Sequence, residues 1–161
     1  MYFLTEFPKI NTDGAADSEH GKGGAGFVVR DHQGAFVSAG CSRYDGVSDP
    51  LTIKLLACRD VLAAAQNSGL QYVEVETDCQ QIQNLWEAPQ KSSCFHLIRE
   101  MRDMCNFFQG FKLRYACRRT NSAAHRVARH ALKLSVSMLV YDVIPGWLTD
   151  CLQSDMLAPN E

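Results

Sequence analysis

The sequence predicts an α/β domain in which a mixed five-stranded sheet carries helices on its faces. Three β-patterned runs follow one another near the N-terminus with short connections, which is typical of an antiparallel meander. After them, segments with helical periodicity alternate with further strand-like runs, as in α–β crossovers. The length of 161 residues, with 46% apolar and 21% charged residues, suits one globular domain with a full core. The expected order of elements is βββαβααβα.

The first predicted strand ends on an acidic residue. Residues 9–12 alternate polar and apolar side chains and include the β-branched Ile10, and Asp13 and Gly14 follow directly. Because glycine leaves the backbone open beside it, an aspartate at this place can point its carboxylate into a cleft. Taken alone, Asp-Gly is more typical of a tight turn, but the downstream sequence favours the cleft.

The remaining elements follow from apolar periodicity and from turn signals. A helix is predicted to begin at Pro50 with Ser48 or Asp49 as its N-cap, and Ser92 or Ser93 is expected to cap the third helix. The later strands are predicted at residues 25–30, 35–42, 72–77 and 111–117, and the helices at residues 50–68, 79–86, 93–109 and after Asn121.

The predicted domain covers residues 9–134. A short segment, residues 1–8, precedes it, and a more irregular C-terminal tail, residues 135–161, packs on it or trails from it. Within the tail, residues 145–148 are expected to form an extended segment whose Trp147 anchors on the body of the domain.

Composition excludes several classes of protein. No apolar run approaches the roughly 20 residues needed to cross a bilayer, and residues 1–4 are too short an apolar stretch for a signal peptide. The seven cysteines include no C-x-x-C pair and are expected to be reduced and mostly buried, not to form a zinc site or a disulfide framework. We therefore expect an intracellular protein, cytoplasmic or nuclear, that is monomeric and has no membrane partner.

The formal net charge of −2 conceals a basic region. Residues 104–141 contain no Asp or Glu but hold seven of the 16 Lys and Arg residues of the chain. Such a region on a near-neutral protein indicates a surface that faces a polyanion. The alternative is a solvated helix face together with a strand edge protected from aggregation.

Five motifs, in register along the chain, resemble the plant RNase H-like domain family, which is related to the RNase H domains of reverse transcriptases. They are residues 9–15, 24–31, 56–60, 75–79 and 118–128, and residues 144–148 resemble the proline-containing close of such domains. The resemblance implies an RNase H-like fold. It also implies cleavage of the RNA strand of RNA–DNA hybrids with two Mg²⁺ ions, which acidic oxygen ligands would hold.

Residue by residue, the resemblance implies a degraded acidic site. Asp13 and Asp78 match two of the acidic, metal-binding positions, but Lys54 stands at the helix glutamate and His125 at the fourth acidic position, where histidine is common in the plant family. An ammonium about 4 Å from a divalent ion would be repelled by roughly 8 kcal/mol at an effective dielectric of about 20. We therefore expect weak or absent Mg²⁺ binding, with Lys54 paired to both aspartates, and Glu76 as the one candidate for a substitute ligand.

Three functions are compatible with these observations. The favoured interpretation is a catalytically impaired RNase H-like protein that binds RNA or an RNA–DNA hybrid through its basic C-terminal face. The alternatives are an active metal-dependent endoribonuclease on hybrids, and a pseudoenzyme that acts through protein–protein contacts, with Trp147 and the Cys- and Met-rich third helix as docking features. The side chains expected to contact phosphates are Arg114, Arg118, Arg119, Arg126 and Arg129.

Overall fold

The computed structural model describes residues 8–88 and 93–157, and within these ranges it has six strands and five α-helices. The strands are β1 (Lys9–Asp17), β2 (Lys22–Arg30), β3 (Phe36–Asp45), β4 (Tyr72–Thr77), β5 (Gly110–Tyr115) and β6 (Met138–Tyr141). The helices are α1 (Pro50–Asn67), α2 (Gln80–Glu87), α3 (Phe95–Cys105), α4 (Ser122–Ala131) and α5 (Thr149–Leu157). Short 3₁₀ helices at Arg118–Thr120 and Gly146–Leu148 precede α4 and α5.

The strands form one mixed sheet in the order β5-β4-β1-β2-β3-β6. β1, β2 and β3 make the expected antiparallel meander, β4 and β5 run parallel to β1, and β6 pairs antiparallel with β3. The predicted α/β class is confirmed, but the predicted number of five strands is wrong. The sixth strand comes from the tail, where four successive apolar residues show no alternation and gain their strand conformation from the edge of β3.

Local sequence signals predicted most of the helix start positions to within a few residues. Asp49 is the N-cap of α1, because its carboxylate accepts a hydrogen bond from Thr52 N at 2.9 Å, and Pro50 is the first helical residue. The third helix begins at Phe95, with Cys94 and not Ser93 at its N-cap position. The alternative cap Ser92 and the N-terminal residues 1–7 lie outside the described residues.

Two apolar layers cover the two faces of the sheet. On one face, α1, α2 and α3 pack on β1 and β4 around residues such as Ile10, Leu62 and Ile98. On the other face, α4 and α5 pack on β2 and β3, with Val28 and Val127 fully buried between them. Because successive side chains of a strand point to opposite faces, each central strand contributes to both layers.

Helix α4 lies unusually close to the sheet. A Cβ atom added at Gly24 would lie 2.3 Å from Ala128 O, and one added at Gly26 would lie 2.5 Å from Ala128 N. Only glycine permits this approach of the helix backbone to β2. At the start of the helix, the buried Asn121 donates from Nδ2 to Thr12 O at 2.9 Å, which ties α4 to β1 beside Asp13.

The C-terminal residues complete the second layer. Asp155 on α5 is buried, and its carboxylate accepts hydrogen bonds from Ser122 N at 3.1 Å and Ala123 N at 2.9 Å, the first residues of α4. Arg30 Nη2 lies 3.4 Å from the same carboxylate. Trp147 stacks on His130 with ring centroids 4.2 Å apart, from a 3₁₀ helix and not from an extended segment.

The seven cysteines form no disulfides. Across residues 8–88 and 93–157, no helix combines the length and the apolar character that crossing a bilayer requires.

Candidate functional site

Two aspartates lie side by side where β1 and β4 separate. The strands are parallel neighbours, and their pairing ends at Thr12 opposite Thr77. Asp13 and Asp78 are the next residues along these two strands, so their carboxylates lie together in the cleft where the strands part. Their side chains are only 1% and 2% exposed. Two buried carboxylates this close need a compensating positive charge.

Lys54 of α1 supplies that charge. Its Nζ lies 3.2 Å from Asp13 Oδ1 and 3.2 Å from Asp78 Oδ1. Gly14 allows the helix to come this near, because a Cβ atom there would lie 2.7 Å from Lys54 N. The amine therefore bridges the acidic pair from the first turns of α1.

The pKa of Lys54 is shifted by two opposed effects. Partial burial lowers it, but the negative charges of Asp13 and Asp78 outweigh burial, and the net pKa is raised above the ordinary lysine value. Lys54 is consequently an ammonium ion at neutral pH, and it offsets one of the two carboxylate charges from within the chain.

His125 and Arg118 extend the arrangement on either side. His125, on α4, places Nδ1 at 2.8 Å from Asp13 Oδ2, with its side chain 40% exposed. Arg118, from the 3₁₀ helix before α4, places Nε at 3.7 Å from Asp78 Oδ2, with its side chain 76% exposed. The five side chains form a line in which carboxylates alternate with nitrogen groups. We call it the acidic-pair network, namely His125, Asp13, Lys54, Asp78 and Arg118.

The residues present do not fit a two-metal site. A cation bound to both Asp13 and Asp78 would have to share their oxygens with the Lys54 ammonium at contact distance, which costs several kcal/mol of repulsion. Glu76 does not fill the gap, because it binds Lys9 Nζ at 3.1 Å and Asn11 Nδ2 at 3.0 Å. Among the residues that the structure describes, no group of three His, Cys, Asp or Glu side chains is arranged to hold a metal ion.

The five arginines singled out from the sequence are all exposed, and four of them surround the start and outer face of α4. Arg126 donates from Nη1 of its guanidinium to Trp147 O at 3.1 Å, and its side chain remains exposed. Arg114 lies on the edge strand β5, 2.8 Å from Glu74 Oε1, and lines a polar cleft of about 350 Å³ together with Thr120. The cleft connects β5 to the 3₁₀ helix that carries Arg118 and Arg119.

Sequence reasoning did not identify three contacts that hold the site. Arg118 was expected to meet phosphates only, yet it also contacts Asp78. Asn121 and Asp155 position the start of α4 and therefore His125. Asn121 bonds to β1, and Asp155, on α5, bonds to the start of α4. The motif that contains Asn121 pointed to this region, but no local pattern marks Asp155.

Comparison with known proteins identifies the family and the fold. Residues 11–131 match the family described as reverse transcriptase-like. RNase H1 from the archaeon Halobacterium salinarum superimposes with a TM-score of 0.73 at 20% identity, covering 78% of this chain and 97% of that one. The N-terminal RNase H domain of a Mycobacterium tuberculosis protein gives a TM-score of 0.71 at 17% identity, covering 80% of this chain and 95% of that one.

A third structure is LC11-RNase H1 in complex with an RNA/DNA hybrid, with a TM-score of 0.70 at 18% identity, covering 78% of this chain and 96% of that one. No curated protein sequence matches the chain significantly. At these identities the structural matches establish the RNase H fold.

Proposed function

The chain belongs to the reverse transcriptase-like family of RNase H-like domains, and from that premise we propose that it binds RNA or RNA–DNA hybrids with little or no capacity to cleave them. The observation that carries the loss of cleavage is the position of Lys54 Nζ, 3.2 Å from the carboxylates of both Asp13 and Asp78. Hydrolysis in this fold class relies on divalent ions held by carboxylates. Here an ammonium ion already lies against both carboxylates and offsets one of their two negative charges.

Retention of nucleic acid is supported by the arginines around α4. Arg118 is the exposed end of the acidic-pair network, and Arg119, Arg126 and Arg129 are exposed nearby. Residues 104–141 contain no Asp or Glu that would repel phosphates. The fold neighbour LC11-RNase H1 was solved with an RNA/DNA hybrid. Cationic side chains on such a face bind phosphates with release of counterions, so affinity falls as salt rises.

Binding can be tested with a labelled RNA–DNA hybrid titrated at several salt concentrations. The parent should bind at low salt with a steep salt dependence. The double variant Arg118→Ala with Arg126→Ala should bind more weakly and lose about two units of the slope of log K against log salt. Arg99→Ala is the matched control, because Arg99 is an exposed arginine on α3, across the sheet from α4.

Two outcomes would contradict the proposal: no retention of hybrid at low salt, or retention that does not respond to salt. Retention lost equally in Arg99→Ala would show that the arginines around α4 are not the binding face.

An active endoribonuclease is the second candidate, and the observation in its favour is that Asp13 and Asp78 remain side by side in the cleft. In that case a hybrid or a metal ion would displace the Lys54 amine. Cleavage assays separate the two functions directly.

A further inference from the structure

An apolar groove of about 550 Å³ runs along the flank of α1, over the sheet face formed by β3 and β6. Its exposed lining includes Val37, Met138 and Val140, which are 48%, 64% and 52% exposed. The small side chain of Ala64 forms part of the opposite wall on α1. The groove lies apart from the acidic-pair network and plays no part in the proposed nucleic-acid binding.

The width of the groove follows from sheet geometry. Adjacent strands lie about 4.8 Å apart, and a helix with its side chains is about 10 Å wide, so one helix covers two strands. α1 packs on β1 and β2 and meets β3 near its end, where Tyr44 contacts Asp60. Among the described residues, no helix covers β6 or the rest of β3 on this face. The floor of the groove is flat at Gly40, because the ring of Phe27 lies directly over this glycine. A Cβ atom added at Gly40 would be 2.4 Å from Phe27 Cζ.

The charges of the groove are all of one sign. Among its described lining residues the charged ones are Asp31, Asp60 and Asp142, and no lysine or arginine lines it. Asp60 accepts a hydrogen bond from the Tyr44 hydroxyl at 2.7 Å, and Arg59 Nη2 lies 4.0 Å from it, so its charge is partly balanced. Asp31 and Asp142 stand nearer the ends of strands β2 and β6. An acidic rim around an apolar floor repels phosphates and favours a cationic, apolar ligand.

We propose that this groove docks an amphipathic helix of a partner protein, with its apolar face on β3 and β6 and with lysine or arginine residues along its flanks. Helix-in-groove recognition uses apolar anchors at helical spacing, and complementary charge sets orientation and partner choice. A second copy of this chain cannot present α4 in this way. Its arginine-rich helix α4 already buries its apolar face, including Val127 and Ala131, in the core.

The open edge of β6 could instead accept an extended strand. A strand added there would lengthen the sheet beyond β6 and would leave the floor between α1 and β3 uncovered. The helix is therefore the occupant that accounts for the apolar floor and for the acidic rim together.

The test uses the full chain and a labelled five-turn peptide of leucine and lysine arranged to form an amphipathic helix. A counterpart with glutamate in place of lysine is the peptide control. Fluorescence anisotropy should give binding that weakens with salt, and at least about tenfold weaker binding of the glutamate peptide. Circular dichroism should report a gain of helix in the bound peptide.

Val140→Lys places a charge in the apolar floor and should weaken binding of the leucine–lysine peptide by about tenfold or more. Leu157→Lys is the matched control, because Leu157 is 84% exposed on α5 and lies outside the groove. If Val140→Lys fails to fold by circular dichroism, Met138→Lys serves the same purpose. Asp31→Asn combined with Asp142→Asn should flatten the salt dependence while retaining apolar binding.

Equal affinity for the two peptides, unchanged affinity in the folded groove variant, or a gain of strand structure would each overturn the proposal. Self-association of the parent that Val140→Lys abolishes would assign the groove to a second copy instead. Loss of hybrid binding would leave this result unaffected, since Val140 and the arginines around α4 are on different surfaces.

Discussion

Lys54 Nζ and Asp13 Oδ1 are 3.2 Å apart, and the same amine is equally close to Asp78 Oδ1. The interaction links the stability of the domain to its chemistry. The ammonium compensates two nearly buried carboxylates, and in doing so it takes the place where a divalent ion would supply positive charge.

Removal of the Lys54 charge should destabilise the domain. We expect Lys54→Met to lower the free energy of unfolding by about 2–3 kcal/mol, because two buried carboxylates then lack their cation. Adding Asp78→Asn should recover part of that loss, and urea unfolding of the single and double variants measures the coupling. Lys9→Met is the control, because Lys9 is 44% exposed and should lose about 1 kcal/mol or less. A Lys54→Met variant as stable as the parent would contradict the role of the bridge.

The contribution of Lys54 should depend on pH in one direction. Its pKa is raised in the folded state, so the folded chain holds this proton more tightly than the unfolded chain. The stabilisation is therefore complete below the unfolded-state pKa of about 10.4 and is lost as pH rises through the folded-state value. The difference in unfolding free energy between the parent and Lys54→Met should stay constant from about pH 7 to 9 and shrink above about pH 10.4. A difference that already shrinks near neutral pH would show that Lys54 is not charged in the folded state.

Asp155, which lies on α5, should stabilise the N-terminal end of α4. Asp155→Ala removes the acceptor of the Ser122 and Ala123 amides and leaves Arg30 without its buried partner. We expect a loss of about 2–4 kcal/mol in unfolding free energy, with faster hydrogen exchange at the first amides of α4. Gln153→Ala, an exposed change on the same helix, should have little effect. Unchanged exchange in α4 would refute the capping role.

Gly26 should be intolerant of a methyl group. Gly26→Ala would push the backbone of α4 away from β2, since the new Cβ would lie 2.5 Å from Ala128 N. We expect destabilisation of about 1–3 kcal/mol in thermal or urea unfolding. Gly146→Ala is the control, because nothing lies within 4 Å of a Cβ atom there. Equal stability of the two variants would mean that the helix adjusts without cost.

Local sequence signals were sufficient for the centre of the fold. Alternation placed β4 and the first half of β1, but β1 continues through Asp13 to Asp17 and does not end at Asp13 as predicted. Asp13 and Asp78 are adjacent because the two strands are parallel neighbours. Lys54 was not placed by periodicity: the resemblance to the RNase H-like family grouped it with Asp13 and Asp78. Local patterns thus gave the elements, and the family motif gave the site.

The C-terminal part could not be predicted in the same way. β6 is four apolar residues without alternation, and it is a strand only because the edge of β3 is available. α5 buries only Leu152 and Asp155, which leaves no clear apolar stripe in its sequence. The contact of Asp155 with Ala123 spans 32 positions and depends on how two helices meet. The groove beside α1 was missed for the same reason, because it exists only once β6 has joined the sheet.

The most direct test of the account is cleavage of an RNA–DNA hybrid in the presence of Mg²⁺ by the parent, Asp13→Asn, Lys54→Glu, and Lys54→Glu combined with His125→Asp. We expect no cleavage by the parent above the level of Asp13→Asn, and gain of metal-dependent cleavage when acidic side chains replace Lys54 and His125. Robust Mg²⁺-dependent cleavage by the parent that Asp13→Asn abolishes would contradict the claim that the Lys54 ammonium has replaced the metal.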